Sequence, residues 1–321
     1  MNYTSIISIK AIIKEPIFAL EFLNGLITLP YDKIIGTQKK NFINKKQIDK
    51  FESNKHLKSL IDSKKPFMAG RLGSAETYAM LTLHAYFRGY SKNINNDYIE
   101  SLKSIAGFFG EKDTDNLNYF YNLYIKGLET CDFQISFRWR MENYFLRKFY
   151  KKPIYSNVLT PFEIKNSWLK SLEGLTVLVI HPFVDDIEAQ YLKKELLFSH
   201  EVLPDFNLKT LEAVQSLAYN PTEYSSWGEA LKSMERKIKD IDFDIALIGA
   251  GAYGYPLAYM IKKMNRQAVH IGGALQLLFG IKGKRWDYPN PVSKYFNEHW
   301  IRPSEKYRIR NYSNIEGGAY W

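Results

Sequence analysis

Residues Asp244 to Gln276 read DIALIGAGAYGYPLAYMIKKMNRQAVHIGGALQ. The apolar run Ile245–Ile248 stops at glycines, a helical pattern follows, and a second apolar run, Ala268–Ile271, stops at glycine again. Short apolar runs bounded by turn residues, with a helix between them, make the strand–turn–helix–strand unit of a parallel sheet. The turn spells G-x-G-x-x-G as Gly249, Gly251 and Gly254. Glycines permit a tight turn, and a helix N-terminus offers N–H groups to a phosphate. A dinucleotide site also needs an acidic residue about twenty positions on, at the end of the next strand. Here that strand ends Val269-His270-Ile271-Gly272, with no acid, and Arg266 precedes it. The loop therefore fits a phosphate or nucleotide, or a tight turn without ligand, and argues against NAD.

The alternation continues outward. LTVLVIHPF is a buried strand running into a turn at Pro182, and DDIEAQYLKKELL is a helix with carboxylates in its first turn. HEVLPDF reads as a short strand, and SSWGEALKSMERKIKDI as a helix capped by Ser225 or Ser226. Upstream, KKPFMAG is a strand and AETYAMLTLHAYFRG a helix, after a polar connection over 31–55 and a helix near 47–62. Residues 97–150 read as helical, interrupted by AGFFGEKDT, with Asp113 or Thr114 as a cap. The expected fold is α/β and Rossmann-like: a doubly wound, mostly parallel sheet with helices on both faces. It spans 61–321, with a helical insertion over 97–150 and a tail over 286–321, after a helical N-terminal extension and connection over 1–60. In such sheets ligands bind beyond the carboxyl ends of the strands, which points to the loops GRLGSAE, IHPFVDD, GAGAYG and HIGGA.

The net charge of +10 favours anionic partners. The excess is concentrated in 280–310, with eight Lys/Arg against three Asp/Glu, and in 134–152, where Arg138, Arg140, Arg147, Lys148, Lys151 and Lys152 face Glu142 alone. No nucleic-acid motif accompanies it, so no nucleic-acid partner is expected. The single cysteine, Cys131, cannot form an internal disulfide and reads as core, which fits a reducing cytoplasm. The apolar N-terminus is broken by Lys10, Lys14, Glu15, Pro16 and Glu21, short of the ~18 residues of a membrane span. Two amphipathic helices split at Pro16 can pack on the body or rest on the inner face of a membrane.

In FMAGRLGSAETYAML, Arg71 follows the strand, Gly73 permits close approach, and Glu76 lies in the first helical turn. A cation, a turn and a carboxylate there can hold a phosphate, a metal or an acceptor hydroxyl, or Arg71 and Glu76 can pair with each other. This motif resembles the R-x-G-D-G-E of GT-D type nucleotide-sugar glycosyltransferases of bacterial surface-glycan synthesis. Arg71, Gly73 and Glu76 match, while Ser74 replaces the Asp and Ala75 the second Gly. The glycine-containing unit at 244–276 resembles the same family's later strand–helix–strand, so the likeness covers about residues 60–285. It implies a GT-D-like fold and transfer of a sugar from a nucleotide-diphosphate donor to a glycan, lipid-linked or glycoprotein acceptor. It also implies Mn2+ or Mg2+ placed by an Asp-x-Glu, of which only Glu76 remains. Either Glu76 and the diphosphate hold the metal, or basic groups such as Lys282, Lys284, Arg285 and Arg302 take its place.

Glu76 is thus the candidate metal ligand or base, with His181 and Asp185 in reserve; Asp185 and Asp186 also read as helix caps. Arg71, Gly73, Ser74, Gly249, Gly251, Tyr253, Gly254, Gly272 and Arg285 are candidates for the nucleotide and its phosphates, and His270 for the base or ribose. Trp300 and Arg302 are candidates for the acceptor, or for clamping an aromatic tail that ends Tyr320-Trp321. Two other classes fit less well: another nucleotide-dependent enzyme, including an oxidoreductase, and a polyanion-binding module.

Overall fold

A computed structural model of the 321-residue chain describes residues 9–16, 18–19, 47–110, 114–137, 142–162, 164, 166–199 and 201–321. Arg138, Arg140, Asp113 and most of the polar connection over 31–55 lie outside the described residues.

The strands are β1 (Gln47–Ile48), β2 (Phe67–Arg71), β3 (Phe133–Ile135), β4 (Ile154–Tyr155), β5 (Thr176–His181), β6 (Asn207–Glu212), β7 (Ile245–Ile248) and β8 (Gln267–His270). They form one sheet in the order β1-β4-β3-β2-β8-β7-β5-β6, and every pairing is parallel. The helices are α1 (Ile9–Lys14), α2 (Lys50–Asp62), α3 (Ser74–Phe87), α4 (Asn96–Ala106), α5 (Thr114–Thr130), α6 (Glu142–Phe149), α7 (Val184–Tyr191), α8 (Trp227–Lys239), α9 (Gly254–Lys263) and α10 (Leu275–Leu278).

Strands buried on both faces need apolar residues of both parities. In β5, Leu178 and Ile180 face one core, which holds Leu83 of α3, Phe120 of α5, Trp227 of α8 and Leu257 of α9. Val177 and Val179 face the other, which holds Leu57 of α2, Ile187 of α7, Leu275 of α10 and the tail residues Trp300 and Trp321. The doubly wound α/β expectation is met. The chain ends β5 and β8 with helices on one face and β2 and β7 with helices on the other. That divergence opens a cleft at the carboxyl end of the sheet.

Two local readings change. The 97–150 segment holds strand β3 besides its helices; three residues are too few for a strand period to show. The strand expected at HEVLPDF lies one step later, at β6, whose sequence NLKTLE is polar because it is an edge strand with every residue at least partly exposed. The expected serine cap stands: Ser226 Oγ accepts from Glu229 N–H at the start of α8, and Ser225 N–H donates back to the Glu229 carboxylate.

At the N-terminus α1 stops two residues before Pro16. Ala11, Phe18 and Ala19 are buried against the body. Phe18 lies 4.8 Å from the His84 ring and 4.9 Å from Tyr144. Glu15 accepts from His84 Nε2 at 3.0 Å, from Lys148 Nζ at 2.5 Å and from the Tyr144 hydroxyl. Among the described residues no helix is long and apolar enough to cross a membrane.

Burial works against the charge of Glu15, but its bonds from Lys148, Tyr144 and His84 outweigh burial and hold its pKa at about 2, below the ordinary 4.5. A carboxylate with a depressed folded pKa contributes stability that is complete above its unfolded pKa and fades as pH falls toward the folded one. The difference in thermal midpoint between wild type and Glu15→Gln is therefore expected to be largest near pH 7 and to shrink below pH 4.5. A difference that grows on acidification would refute this account of the N-terminal anchor.

Candidate active site

The parallel register decides what meets at the carboxyl end. Ile180 pairs with Ile248, Ile248 with His270, and Ala69 with Val269. Carried one residue on from Ile180, Ile248 and His270, and two on from Ala69, this register levels Arg71, Ile271, Gly249 and His181 at the rim of four adjacent strands. The loops after these strands, the segment after β6 and the C-terminal tail enclose a cavity of about 390 Å³. That is within the size range of small-molecule sites.

Arg71 ends β2. Its Nε donates to Ile271 O at 3.1 Å, and its guanidinium lies 5.2 Å from the Phe137 ring. A Cβ on Gly272 would fall 2.3 Å from Arg71 Nη2, and Gly272 has φ +76°. The positive φ of the turn favours glycine here, and the bare backbone lets the guanidinium rest on it.

Gly73 is the N-cap of α3, with Ser74, Ala75 and Glu76 as its first three residues. Glutamate at the third position reaches back to the cap. A Cβ on Gly73 would meet the Glu76 carboxylate at 2.0 Å. Glu76 is buried and accepts its own backbone N–H. Burial raises its pKa, while that N–H and the Arg71 charge pull it down only in part. A carboxyl poised above the ordinary carboxylate range, beside a guanidinium and facing a cavity, has the character of a proton acceptor.

His181 ends β5, and its Nδ1 accepts from Phe183 N–H at 3.1 Å. Burial pushes its pKa down to about 3. The ring is therefore neutral with its proton on Nε2, which makes it a hydrogen-bond donor rather than the reserve base. His270 ends β8 and is held neutral by burial and by Arg71, at about 3.

The three glycines of the G-x-G-x-x-G loop each accommodate protein atoms. A Cβ on Gly249 would fall 2.7 Å from His181 Cδ2 and 2.9 Å from Gly272 O. Gly251, at φ +50°, would meet Ala106 O at 2.6 Å, where α4 ends against the loop. Gly254 would meet His270 Cε1 and Nδ1 at 2.3 Å. The amides of Gly249 and Tyr253 donate to Ile180 O and Ala250 O, and that of Gly254 to Gly251 O. An anion at this loop is left the amides of Ala250 and Gly251, which line the cavity. The Tyr253 hydroxyl meets Ser216 Oγ at 3.0 Å, and Ser216 bonds Gly107 O, so this side chain braces the loop.

Arg71, Gly73, Ser74, Glu76, His181, Gly249, Gly251, Tyr253, His270, Gly272 and Arg285 all line the cavity, and Gly254 seats His270 behind it. Three candidates stand elsewhere. Asp185 is exposed and paired with Lys306, and that bond lowers its pKa, so it is not placed to take a substrate proton. Asp186 accepts from Ser304 N–H at 2.8 Å, so both aspartates anchor the C-terminal segment. Trp300 is buried with its Nε1 donating to Leu197 O at 2.7 Å. Arg302 makes two 2.8 Å bonds to Asp287 and reaches Trp321 O at 3.4 Å, clamping the tail. Lys282 and Lys284 are not among the lining residues. Cys131 is buried core, its thiol pushed up to about 12 by burial.

Sequence reasoning missed Gln215, Ser216 and Gln276, which line the cavity. The first two follow β6, so placing that strand at NLKTLE would have brought them to a strand's carboxyl end. Gln276 Nε2 donates to Ile281 O and Tyr320 O, which leaves its buried Oε1 without a partner.

The donor set does not fit a divalent metal held by the protein. Among the described residues no three His, Cys, Asp or Glu side chains gather as a metal site. Glu76, the one carboxylate of the resembling motif, is folded onto its own helix.

No protein-family model matches the chain, and no curated protein matches it. A solved selenomethionine structure of a domain of unknown function, DUF1792, aligns at 15% identity with a TM-score of 0.35, covering 71% of this chain and 78% of that one. So slight a likeness carries no argument here.

A methyl group at Gly254 must displace the His270 ring or the helix start, since Gly254 itself is helical. Gly254→Ala is expected to lower unfolding free energy by about 1–3 kcal/mol in chemical denaturation. An unchanged stability would show that the loop is not packed on His270.

Proposed function

We propose that the cavity binds a nucleotide-diphosphate sugar and that the protein is a glycosyltransferase acting on a hydroxyl of a glycan, lipid-linked or glycoprotein acceptor. The observation that carries this reading is the joining of Arg71, Glu76 and the loop after β7 in one cavity at a parallel sheet's carboxyl end. The R-x-G-x-x-E spacing that resembles GT-D enzymes is thereby tied to a site of suitable size and chemistry.

In this reading Arg71 and the amides of Ala250 and Gly251 receive the diphosphate. The acceptor oxygen attacks the anomeric carbon, and the bond from that carbon to the phosphate oxygen breaks. Its electron pair leaves with the nucleoside diphosphate, whose charge Arg71 stabilises. The hydroxyl proton passes to Glu76. The Nε2–H of His181 serves as a fixed donor to substrate oxygen. The positive surface and the N-terminal segment are compatible with an acceptor at the inner face of a membrane.

The binding half is tested by thermal stabilisation with UDP, GDP, CDP, NAD, NADP and an oligonucleotide, each with and without Mn2+. A nucleoside diphosphate is expected to raise the midpoint, and Arg71→Met to abolish that rise. Stabilisation by NAD alone favours an oxidoreductase; stabilisation by the oligonucleotide alone favours a polyanion-binding module.

The chemical half is tested at Glu76. Gln also suits the third helical position, so Glu76→Gln is expected to fold. It should lose about 10²- to 10⁴-fold in kcat, the usual contribution of a general base. Because burial raises its pKa above 4.5, the wild-type rate should fall on an acidic limb above pH 4.5 that Glu76→Gln lacks. Full activity in that variant would remove Glu76 from the mechanism.

A further inference from the structure

Among the described residues, the charged side chains lining the cavity are Arg71, Glu76, Arg285 and Glu316, two of each sign. Arg285 pairs with Glu316. Its guanidinium also lies 4.9 Å from the Tyr320 ring centroid. Tyr320 in turn covers Gly273, where a Cβ would fall 2.2 Å from its Cε1. Arg71 rests on Gly272 and Tyr320, carrying Arg285, on Gly273. Both cations thus line one cavity, reached through consecutive glycines of the turn after β8. One of them is already occupied by a carboxylate from the protein.

We propose that Glu316 is a built-in competitor, holding Arg285 in the free protein and yielding it to the outer phosphate of a diphosphate ligand. The inference rests on the nucleotide-sugar reading and adds to it a ligand-displaced contact of the C-terminal tail.

Three observations support it. The pair is partly solvated, with side chains 35% and 47% exposed, so it is weak enough to exchange. Glu316, Gly317 and Gly318 have φ of +47°, +74° and +89°, a left-handed run that non-glycine residues rarely adopt. This run lies between two anchors. Ile315 is buried on one side, and on the other Trp321 is buried with Nε1 donating to Tyr307 O at 3.0 Å. The Trp321 carbonyl accepts from Lys284 N–H at 2.9 Å. Residues 316–318 can thus turn outward while the tail stays seated.

The test is calorimetric titration of the full chain with inorganic pyrophosphate and with UDP, in wild type, Glu316→Gln, Arg285→Met and the double variant. Glu316→Gln keeps the side chain's shape and removes its charge. It should bind pyrophosphate about two- to fivefold tighter than wild type, the scale of a partly exposed ion pair. The same substitution should change nothing in the Arg285→Met background, an outcome that a merely structural role for Glu316 does not produce. Equal or weaker pyrophosphate binding by Glu316→Gln overturns the inference whatever UDP does. Failure of wild type to bind UDP while pyrophosphate binding tightens in Glu316→Gln overturns the nucleotide reading and leaves the competitor standing.

Discussion

The site depends on one constraint, the parallel register of β2, β8, β7 and β5. Parallel strands end at a common rim, and the pairings Ile180–Ile248–His270 and Ala69–Val269 put four chain exits at one height. Everything placed there inherits its position from backbone hydrogen bonds buried on both faces. Arg71 crosses to the neighbouring Ile271 carbonyl, the His181 ring packs on Gly249, and the His270 ring packs on Gly254. The glycines are where these contacts pass between backbones. Their role is to let side chains from adjacent strands lie flat against one another.

Burial then sets the protonation states. Both histidines are neutral and held near pH 3, so neither contributes charge at neutral pH. Among the described residues the charged side chains of the cavity are two cations and two carboxylates, and each cation has a carboxylate for a neighbour. Burial raises the pKa of Glu76 and the Arg71 charge pulls it only part of the way back, which suits a group that takes up a proton beside a cation. Glu316 sits at the partly solvated outer end, where an ion pair exchanges easily. In the proposed reading an anionic ligand would meet Arg71 and Arg285, and the position of the resembling motif's Asp is held by Ser74.

Much of this was legible in the chain. Apolar runs ending in glycine or in Arg71 located the strand ends, and the rule for open sheets named four loops that do converge. Glu76 was legible because it falls in the first helical turn after a strand end and matches the motif the segment resembles. What could not be read was set by long-range contacts. The polar edge strand β6 has no apolar run, so Gln215 and Ser216 went unplaced. The three residues of β3 were lost in a helical stretch. Asp185 and Arg302 carry charges suited to a site, yet their partners, Lys306 and Asp287, lie on segments whose docking no local pattern reveals. The loop GAGAYG kept its location but changed its meaning, since its glycines answer first to neighbouring protein atoms.

The central claim is that Arg71 and the loop after β7 together form the seat of a diphosphate. The most direct measurement is a crystal structure of the protein with a bound nucleoside diphosphate. The account predicts phosphate oxygens within hydrogen-bond distance of the Arg71 guanidinium and of the Ala250 or Gly251 amide, with Glu316 turned away from Arg285. A nucleotide bound elsewhere on the molecule, with Arg71 still facing an empty cavity, would contradict it.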